Sequence, residues 1–268
     1  MDFRIGCVGY SYDFWVGPFY PRHTPSSEFL RLYGKVFDLV EIDNTFYRSP
    51  KPEVAAEWRD DVPDGFRFAL KFPRKITHEL LFTNADKPQE WFFAAIERLK
   101  PKVGPLVLQL PPSASYAQLH GPLFEFLDGL PKTFRYAVEF RHGSWMQPAV
   151  FRELGRRDVA LVWNEIEYVD TAPELTTDFV YLRFIGDRSL TALGSVKIDR
   201  TAEMTKWAAR LKEIEGRVGQ AFVLFNNHFA GYGPACADAF RGMLGMPRVD
   251  FAAIHTPQRG QRQLGEYG

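Results

Sequence analysis

Eight short apolar runs, spread along the whole chain and separated by segments of helical character, constrain this sequence more than any other feature. They are RIGCVG from Arg4, FDLVEI from Phe37, FRFALK from Phe66, PLVLQL from Pro105, RYAVEF from Arg135, VALVWN from Val159, FVYLRF from Phe179 and QAFVLF from Gln220. Each is short and rich in Val, Phe and Leu, the pattern of strands covered on both faces. Between them, SSEFLRLYGKV from Ser26, KPEVAAEWRDD from Lys51, KPQEWFFAAIERLK from Lys87, YAQLHGPLFEFLD from Tyr116, AVFRELGRR from Ala149, TAEMTKWAARLKEIEG from Thr201 and GPACADAFRGML from Gly233 read as helices. The sixth connection, EIEYVDTAPELTTD from Glu165, is too polar and Pro-interrupted for one. Strands alternating with helices call for a parallel sheet, and eight is the number that closes into a (β/α)8 barrel of TIM type, an open doubly wound sheet being the alternative. The length suits one such α/β domain, expected over residues 1–268, with no repeat or linker to divide it.

Lys plus Arg and Asp plus Glu each total 33, so the formal net charge is zero. No global field advertises a nucleic-acid or membrane partner, and any anion-binding patch must be local. Cys7 and Cys236 form no CxxC pair and read as buried free thiols, which suits a reducing cytosol. No segment approaches the ~20 apolar residues of a membrane span, and no stretch has signal-peptide character, so a cytoplasmic location is expected. Neither GxGxxG nor GxxxxGK[ST] occurs, leaving any cofactor unknown.

In a parallel barrel side chains alternate between the outer helices and the lumen, and chemistry sits at the carboxyl ends of the strands. The lumen parity reads Leu39, Glu41, Asp43 on the second run, Ala69 and Lys71 on the third, and Val107 and Gln109 on the fourth. It continues with Ala137, Glu139 and Arg141 on the fifth, Val162 and Asn164 on the sixth, and Tyr181 and Arg183 on the seventh. Six neighbouring strands therefore end in polar lumen residues, joined by Tyr10 after the first and Asn226, Asn227 and His228 after the eighth. Either these groups form a site, or the charges neutralise one another as a buried plug. Their place at the barrel top favours the site.

The segments GYSYDFWVGPFYP, EIDNTFYRSP, FALKFPRKITH, LQLPPS, VEFRHGSW, LRFIG and FNNHFAG, in order along nearly the whole chain, resemble the YecE-like family, domain of unknown function 72. The resemblance implies a TIM-type barrel and supplies no reaction. A likeness of the family to endonuclease IV-type barrels points by analogy to nucleic acid or a phosphorylated ligand. One departure stands out: relatives often read RFHG where this chain has RFIG, so Ile185 removes a polar group from that rim.

The chemistry expected from these residues is an enzyme, a hydrolase or lyase, acting on an anionic, phosphorylated ligand such as a sugar phosphate or nucleic-acid backbone. Glu139 is the acid–base candidate, with Glu41 and Lys71 beside it in the catalytic set. Lys71, Arg141 and Arg183 form the anion clamp, since guanidinium groups pair bidentately with phosphate. Arg74, Asn44, Gln109, Asn164, His78 and His142 extend the ligand contacts, and Asn226, Asn227 and His228 orient. Tyr10, Trp15, Tyr47 and Trp145 offer rings for a sugar or base. The rival class is a non-catalytic nucleic-acid or ligand-binding barrel using the same clamp. Third come glycoside hydrolysis between two carboxylates and Schiff-base chemistry at Lys71. A metal at His78, His142, His228, Glu41 or Glu139 is weakly signalled, because no HxH or HExxH spacing occurs and the surrounding cations oppose one. Oligomeric state leaves no mark on the sequence.

Overall fold

The computed structural model describes residues 1–255. Strands β1 (Asp2–Val8), β2 (Leu39–Ile42), β3 (Arg67–Lys71), β4 (Val103–Gln109), β5 (Tyr136–Glu139), β6 (Val159–Glu165), β7 (Phe179–Phe184) and β8 (Gln220–Phe225) coincide with the eight apolar runs. They pair in parallel in chain order, and β8 closes on β1 through a register that runs from Asp2 opposite Gln220 to Cys7 opposite Phe225. The expected (β/α)8 barrel is thus the fold, and the open doubly wound sheet is set aside. The single-domain expectation extends to residues 256–268, which lie outside the described residues.

The helices are α1 (Phe29–Tyr33), α2 (Asn44–Tyr47), α3 (Pro52–Asp60), α4 (Asp86–Ile96), α5 (Tyr116–Asp128), α6 (Pro148–Arg156), α7 (Thr201–Glu213), α8 (Gly233–Met243) and α9 (Ala252–His255). Side-chain alternation sorts the barrel into two cores. Ile5, Cys7, Val40, Ile42, Leu70, Leu108, Val138, Leu161, Leu182 and Val223 face the helices, in a layer rich in aromatic contacts. Val8, Leu39, Ala69, Val107, Ala137, Ala160, Val162, Phe179, Tyr181, Phe222 and Leu224 fill the lumen. The small residues on β3, β5 and β6 leave room for Phe179, Tyr181 and Phe222 on the opposite wall, so the lower barrel is packed solid.

The sixth connection carries no helix between β6 and β7. Side-chain hydrogen bonds hold its backbone instead. Thr176 Oγ1 donates to Val159 O at 2.7 Å and accepts from Leu161 N at 2.8 Å, and Trp163 Nε1 donates to Glu174 O at 3.0 Å. Trp163 stacks on Trp207 of α7 at 5.8 Å, closing the gap in the helical layer. The first helix is shorter than SSEFLRLYGKV suggests, because Ser26–Glu28 form a 3-10 turn before α1. Two helical turns that periodicity did not show, α2 and a π-helical turn at Lys75–Glu79, follow β2 and β3 directly. Cys7 and Cys236 are buried free thiols, and no helix among the described residues is long and apolar enough to cross a membrane.

Candidate functional site

The carboxyl ends of β2, β5 and β7 place three charges in the lumen, each on the parity that puts hydrocarbon below it. Glu41 and Glu139 are 0% exposed and Arg183 is 1% exposed. Arg183 lies between the carboxylates, donating to Glu41 Oε1 at 2.6 Å and to Glu139 Oε2. The remaining oxygens are taken as well: Tyr181 Oη donates to Glu41 Oε2 at 2.6 Å, and Arg141 Nε donates to Glu139 Oε1.

Burial pushes the Glu139 carboxyl up, but the guanidinium groups of Arg141 and Arg183 and the ammonium of Lys71 outweigh it and hold the pKa at about 2. Glu139 is therefore ionised at neutral pH, with both oxygens engaged. With no proton to give and no oxygen free to meet a ligand, it loses the basis for acting as the acid–base group. Glu41 moves the other way: burial raises its pKa, Arg183 offsets only part of that, and Asp43 adds to the rise. The anion-clamp role expected of Arg183 fails as well. Its guanidinium is consumed by the two glutamates beneath the mouth, so it is a strut of the floor and not an arm of the anion clamp. Nor is there an open position between the two glutamates for a glycosidic oxygen, since Arg183 fills it.

Above this floor opens a cavity of ≈390 Å³ lined by Asp43, Phe46, Tyr47, Lys71, Arg74, His78, Gln109, Pro112, Arg141, Tyr168 and Arg188. Lys71 Nζ lies 2.9 Å from Asp43 Oδ1 and donates to Gln109 Oε1 at 3.0 Å. Arg141 donates to the hydroxyl of Tyr168, which reaches over the mouth from the sixth connection. Burial works to raise Asp43, yet Lys71 and then Arg183 outweigh it and hold this carboxyl below its ordinary value. His78, carried by the π-helical turn after β3, is lowered by burial and by the nearby Arg74, Lys71 and Arg141, so its imidazole is neutral at pH 7. Four cationic side chains thus face one carboxylate around the cavity.

Lys71, Arg74, His78, Gln109, Arg141 and Tyr47 come together here, while other expected contacts do not. Gly9 adopts φ +76°, a left-handed turn that ends β1 and carries Tyr10 away from the lumen. Tyr12 folds back in its place, its hydroxyl donating to Val8 O at 2.7 Å. Trp15 and Trp145 are fully buried. Trp15 Nε1 donates to Asn227 Oδ1, and Trp145 stacks on Phe140 and donates to Ala114 O, so both are packing rings and not ligand platforms. Asn227 also accepts from Gly233 N, Asn226 caps His228 N, and His228 Nδ1 meets Leu190 O, which occupies all three in shaping the loop after β8. His142 caps the turn Gly143–Trp145 through Ser144, away from the cavity. Asn44 starts α2 with its side chain exposed outside the lining. Asn164 is buried opposite Arg183 in register, and neither atom of its amide has a hydrogen-bond partner among the described residues. Ile185 is buried on the same strand end. Among the described residues no group of three or more His, Cys, Asp or Glu side chains is placed to hold a metal ion.

Asp43, Tyr168 and Arg188 are the site residues that sequence reasoning did not choose. Asp43 carried a usable signal, lying two residues beyond Glu41 on the lumen parity. Tyr168 and Arg188 sit in irregular loops, where no periodicity reports direction.

The profile of the family described as "Protein of unknown function DUF72" matches residues 4–261. The UPF0759 protein YecE of Escherichia coli K12 is 40% identical over 113 residues, a match spanning 42% of this chain and 41% of that protein. The UPF0759 protein YunF of Bacillus subtilis is 24% identical over 89% of this chain and 93% of its own length. Among solved structures, a DUF72 family protein from Thermotoga maritima superposes with a TM-score of 0.77 at 27% identity, covering 91% of this chain and 100% of that one. A second from Enterococcus faecalis, at 22% identity and a TM-score of 0.71 over 91% and 96% of the two chains, has the same fold.

Proposed function

The chain belongs to the DUF72 family, and from that premise we propose that its mouth cavity binds a phosphorylated, anionic ligand and performs acid–base chemistry on it as a hydrolase or lyase. One observation carries the reading: Lys71, Arg74, Arg141 and Arg188 line the cavity against a single carboxylate, Asp43. In the buried layer beneath, Glu41 and Glu139 engage Arg183 and Arg141, which leaves Lys71, Arg74 and Arg188 to face Asp43 and the opening. A phosphate group answers it with oxygens that accept from several guanidinium donors at once. Asp43 is the carboxylate that meets the ligand, and Lys71 at 2.9 Å orients it. Held ionised at neutral pH, Asp43 acts as the base that takes a proton from an attacking water or a ligand carbon, and Gln109 fixes the lysine that positions it.

Calorimetric titration with inorganic phosphate and pyrophosphate tests the binding half. Arg188→Ala removes an exposed cation that makes no ion pair among the described residues, and the expected result is affinity lower by about ten-fold, in keeping with ~1.5–3 kcal/mol for a hydrogen bond to a charged group. Asp43→Asn tests the chemistry. It should bind phosphate at least as well as the parent, because a repelling charge is gone, while turnover of any phosphate ester the parent cleaves falls by two orders of magnitude or more. Undiminished turnover in Asp43→Asn would leave the rival reading, a ligand-binding barrel. The locked, ionised state of Glu139 is the observation that favours that rival.

A further inference from the structure

Tyr47 and Trp91 are the most exposed aromatic side chains among the described residues, at 78% and 68%, and they line the same groove. The groove has a volume of ≈560 Å³, and Arg48, Arg74, Lys75 and Glu79 supply its charged walls. Tyr47 and Arg74 also line the mouth cavity, so the two spaces adjoin along the loops after β2 and β3. Single exposed aromatics are ordinary on protein surfaces. Two in one cationic groove beside an anion-binding mouth call for an explanation.

The local fold shows why the rings are outside. Tyr47 ends the short helix α2, where Thr45 points inward and donates to Ile42 O and Lys71 O at 2.9 and 2.8 Å, tying the helix to the mouth. Trp91 stands on the outer face of α4, whose buried face is Phe92, Ala95 and Ile96. Trp91 makes no ring contact among the described residues, and Tyr47 meets only the edge of Phe46. Arg74 and Lys75 share Glu79, at 3.6 and 3.0 Å, whereas Arg48 has no ion pair among the described residues. Three cations against one carboxylate leave the groove positive like the mouth.

Resting on the phosphate reading of the mouth, we propose that the groove is a base-stacking subsite. The ligand is a nucleotide unit whose phosphate sits in the mouth by Lys71 and Arg141 and whose base stacks on Tyr47 and Trp91. Flat rings with a π-face stack on exposed aromatics whatever their sequence, and flanking cations track the phosphates between them; this combination characterises single-strand binding. A sugar phosphate without a base would use the mouth and leave both aromatics wet. A duplex would present no free base face.

Trp91 is itself the probe. Trp15, Trp145, Trp163 and Trp207 are buried and the half-buried Trp58 lies outside the groove lining, so a base bound in the groove quenches the fluorescence of Trp91 first. The protein is titrated with thymidine monophosphate, with a hexamer of thymidylate, with the hexamer paired to its complement, and with inorganic phosphate. Quenching is expected with the first two, absent in Trp91→Phe and absent with phosphate alone. Fluorescence anisotropy of labelled hexamer should show affinity reduced on the order of ten-fold in Trp91→Ala and in Tyr47→Ala, and restored by Tyr47→Phe. Equal affinity and equal quenching for monophosphate and hexamer would assign a mononucleotide; tighter hexamer binding with a steep salt dependence would assign a strand. Hexamer affinity unchanged in both alanine variants, or duplex bound as well as single strand, overturns the subsite. If Arg188→Ala still weakens inorganic phosphate, the mouth reading survives that failure; if phosphate does not bind at all, the mouth reading fails first.

Discussion

Replacing Arg183 by Met tests whether the charged layer under the mouth is one electrostatic unit. The substitution removes the cation between Glu41 and Glu139, both fully buried, and leaves side-chain volume nearly unchanged. Breaking a buried ion pair by deleting one partner costs about 3–5 kcal/mol. Here two pairs break, yet the losses do not double. Glu139 keeps Arg141 on one oxygen, and Glu41, already raised by burial, takes up a proton and keeps the Tyr181 hydroxyl. The expected loss at pH 7 is therefore about 3–5 kcal/mol, or roughly 6–20 °C in midpoint at about 2–4 °C per kcal/mol for a chain of this size.

The sign of its pH dependence follows from the two glutamates. In the parent, Glu139 is depressed from 4.5 to about 2, so its contribution of ~3 kcal/mol is present above pH 4.5 and is lost as pH falls toward 2. Without Arg183 that depression shrinks and Glu41 rises further. Both changes favour the protonated folded protein, so the gap between variant and parent is widest at pH 8 and narrows toward pH 5. Urea unfolding followed by far-ultraviolet circular dichroism at pH 5, 6, 7 and 8 measures the gap, with an unchanged slope against denaturant showing that only stability moved. Adding Glu41→Gln and Glu139→Gln to Arg183→Met should recover part of the loss, because the orphaned charges leave with it. A loss below about 1 kcal/mol, or one that is the same at every pH, would refute the reasoning.

Removing the Tyr181 hydroxyl with Phe takes a 2.6 Å donor from Glu41 and raises its pKa further, so the variant should lose stability relative to the parent as pH rises from 5 to 8, in the same urea assay. Thr176→Val strips the hydroxyl that serves both Val159 O and Leu161 N, and thermal unfolding should report a loss of about 1–3 kcal/mol with no change in phosphate binding. The His78 ring, lowered by burial and by its three cationic neighbours, should titrate higher when phosphate saturates the mouth; proton NMR of the C2 resonance follows it, and an unmoved midpoint would place the anion elsewhere.

Period-two alternation made the barrel readable in the sequence, because strands covered on both faces cannot hide their apolar content. It also placed Glu41, Lys71, Gln109, Glu139, Asn164 and Arg183 at one end of the lumen. Alternation tells which wall a side chain leaves, and nothing about how far it reaches or which neighbour it meets. Arg183 and Arg141 lie on the same parity of β7 and of the stretch after β5, yet one is locked between two glutamates and the other touches the cavity. Where strands ended, the pattern failed for a definite reason. One left-handed residue, Gly9, turned Tyr10 away from the lumen, and backbone and amide caps around Asn226, Asn227 and His142 absorbed polar groups that looked free.

The carboxylates divide by depth, and depth decides their chemistry. Glu41 and Asp43 share a parity and stand two residues apart, but the lower one is locked by Tyr181 and Arg183 while the upper one borders the cavity beside Lys71. Burial without enough positive charge raises the first; two cations outweigh burial and lower the second. Asp43 at the mouth is thus the more acidic of the two, and Glu41 beneath it takes up a proton more readily. Paired carboxyls whose environments push their titrations apart divide into donor and acceptor. On the proposed acid–base reading it is Asp43, which borders the cavity, and not the fully saturated Glu139, through which the mouth would move a proton.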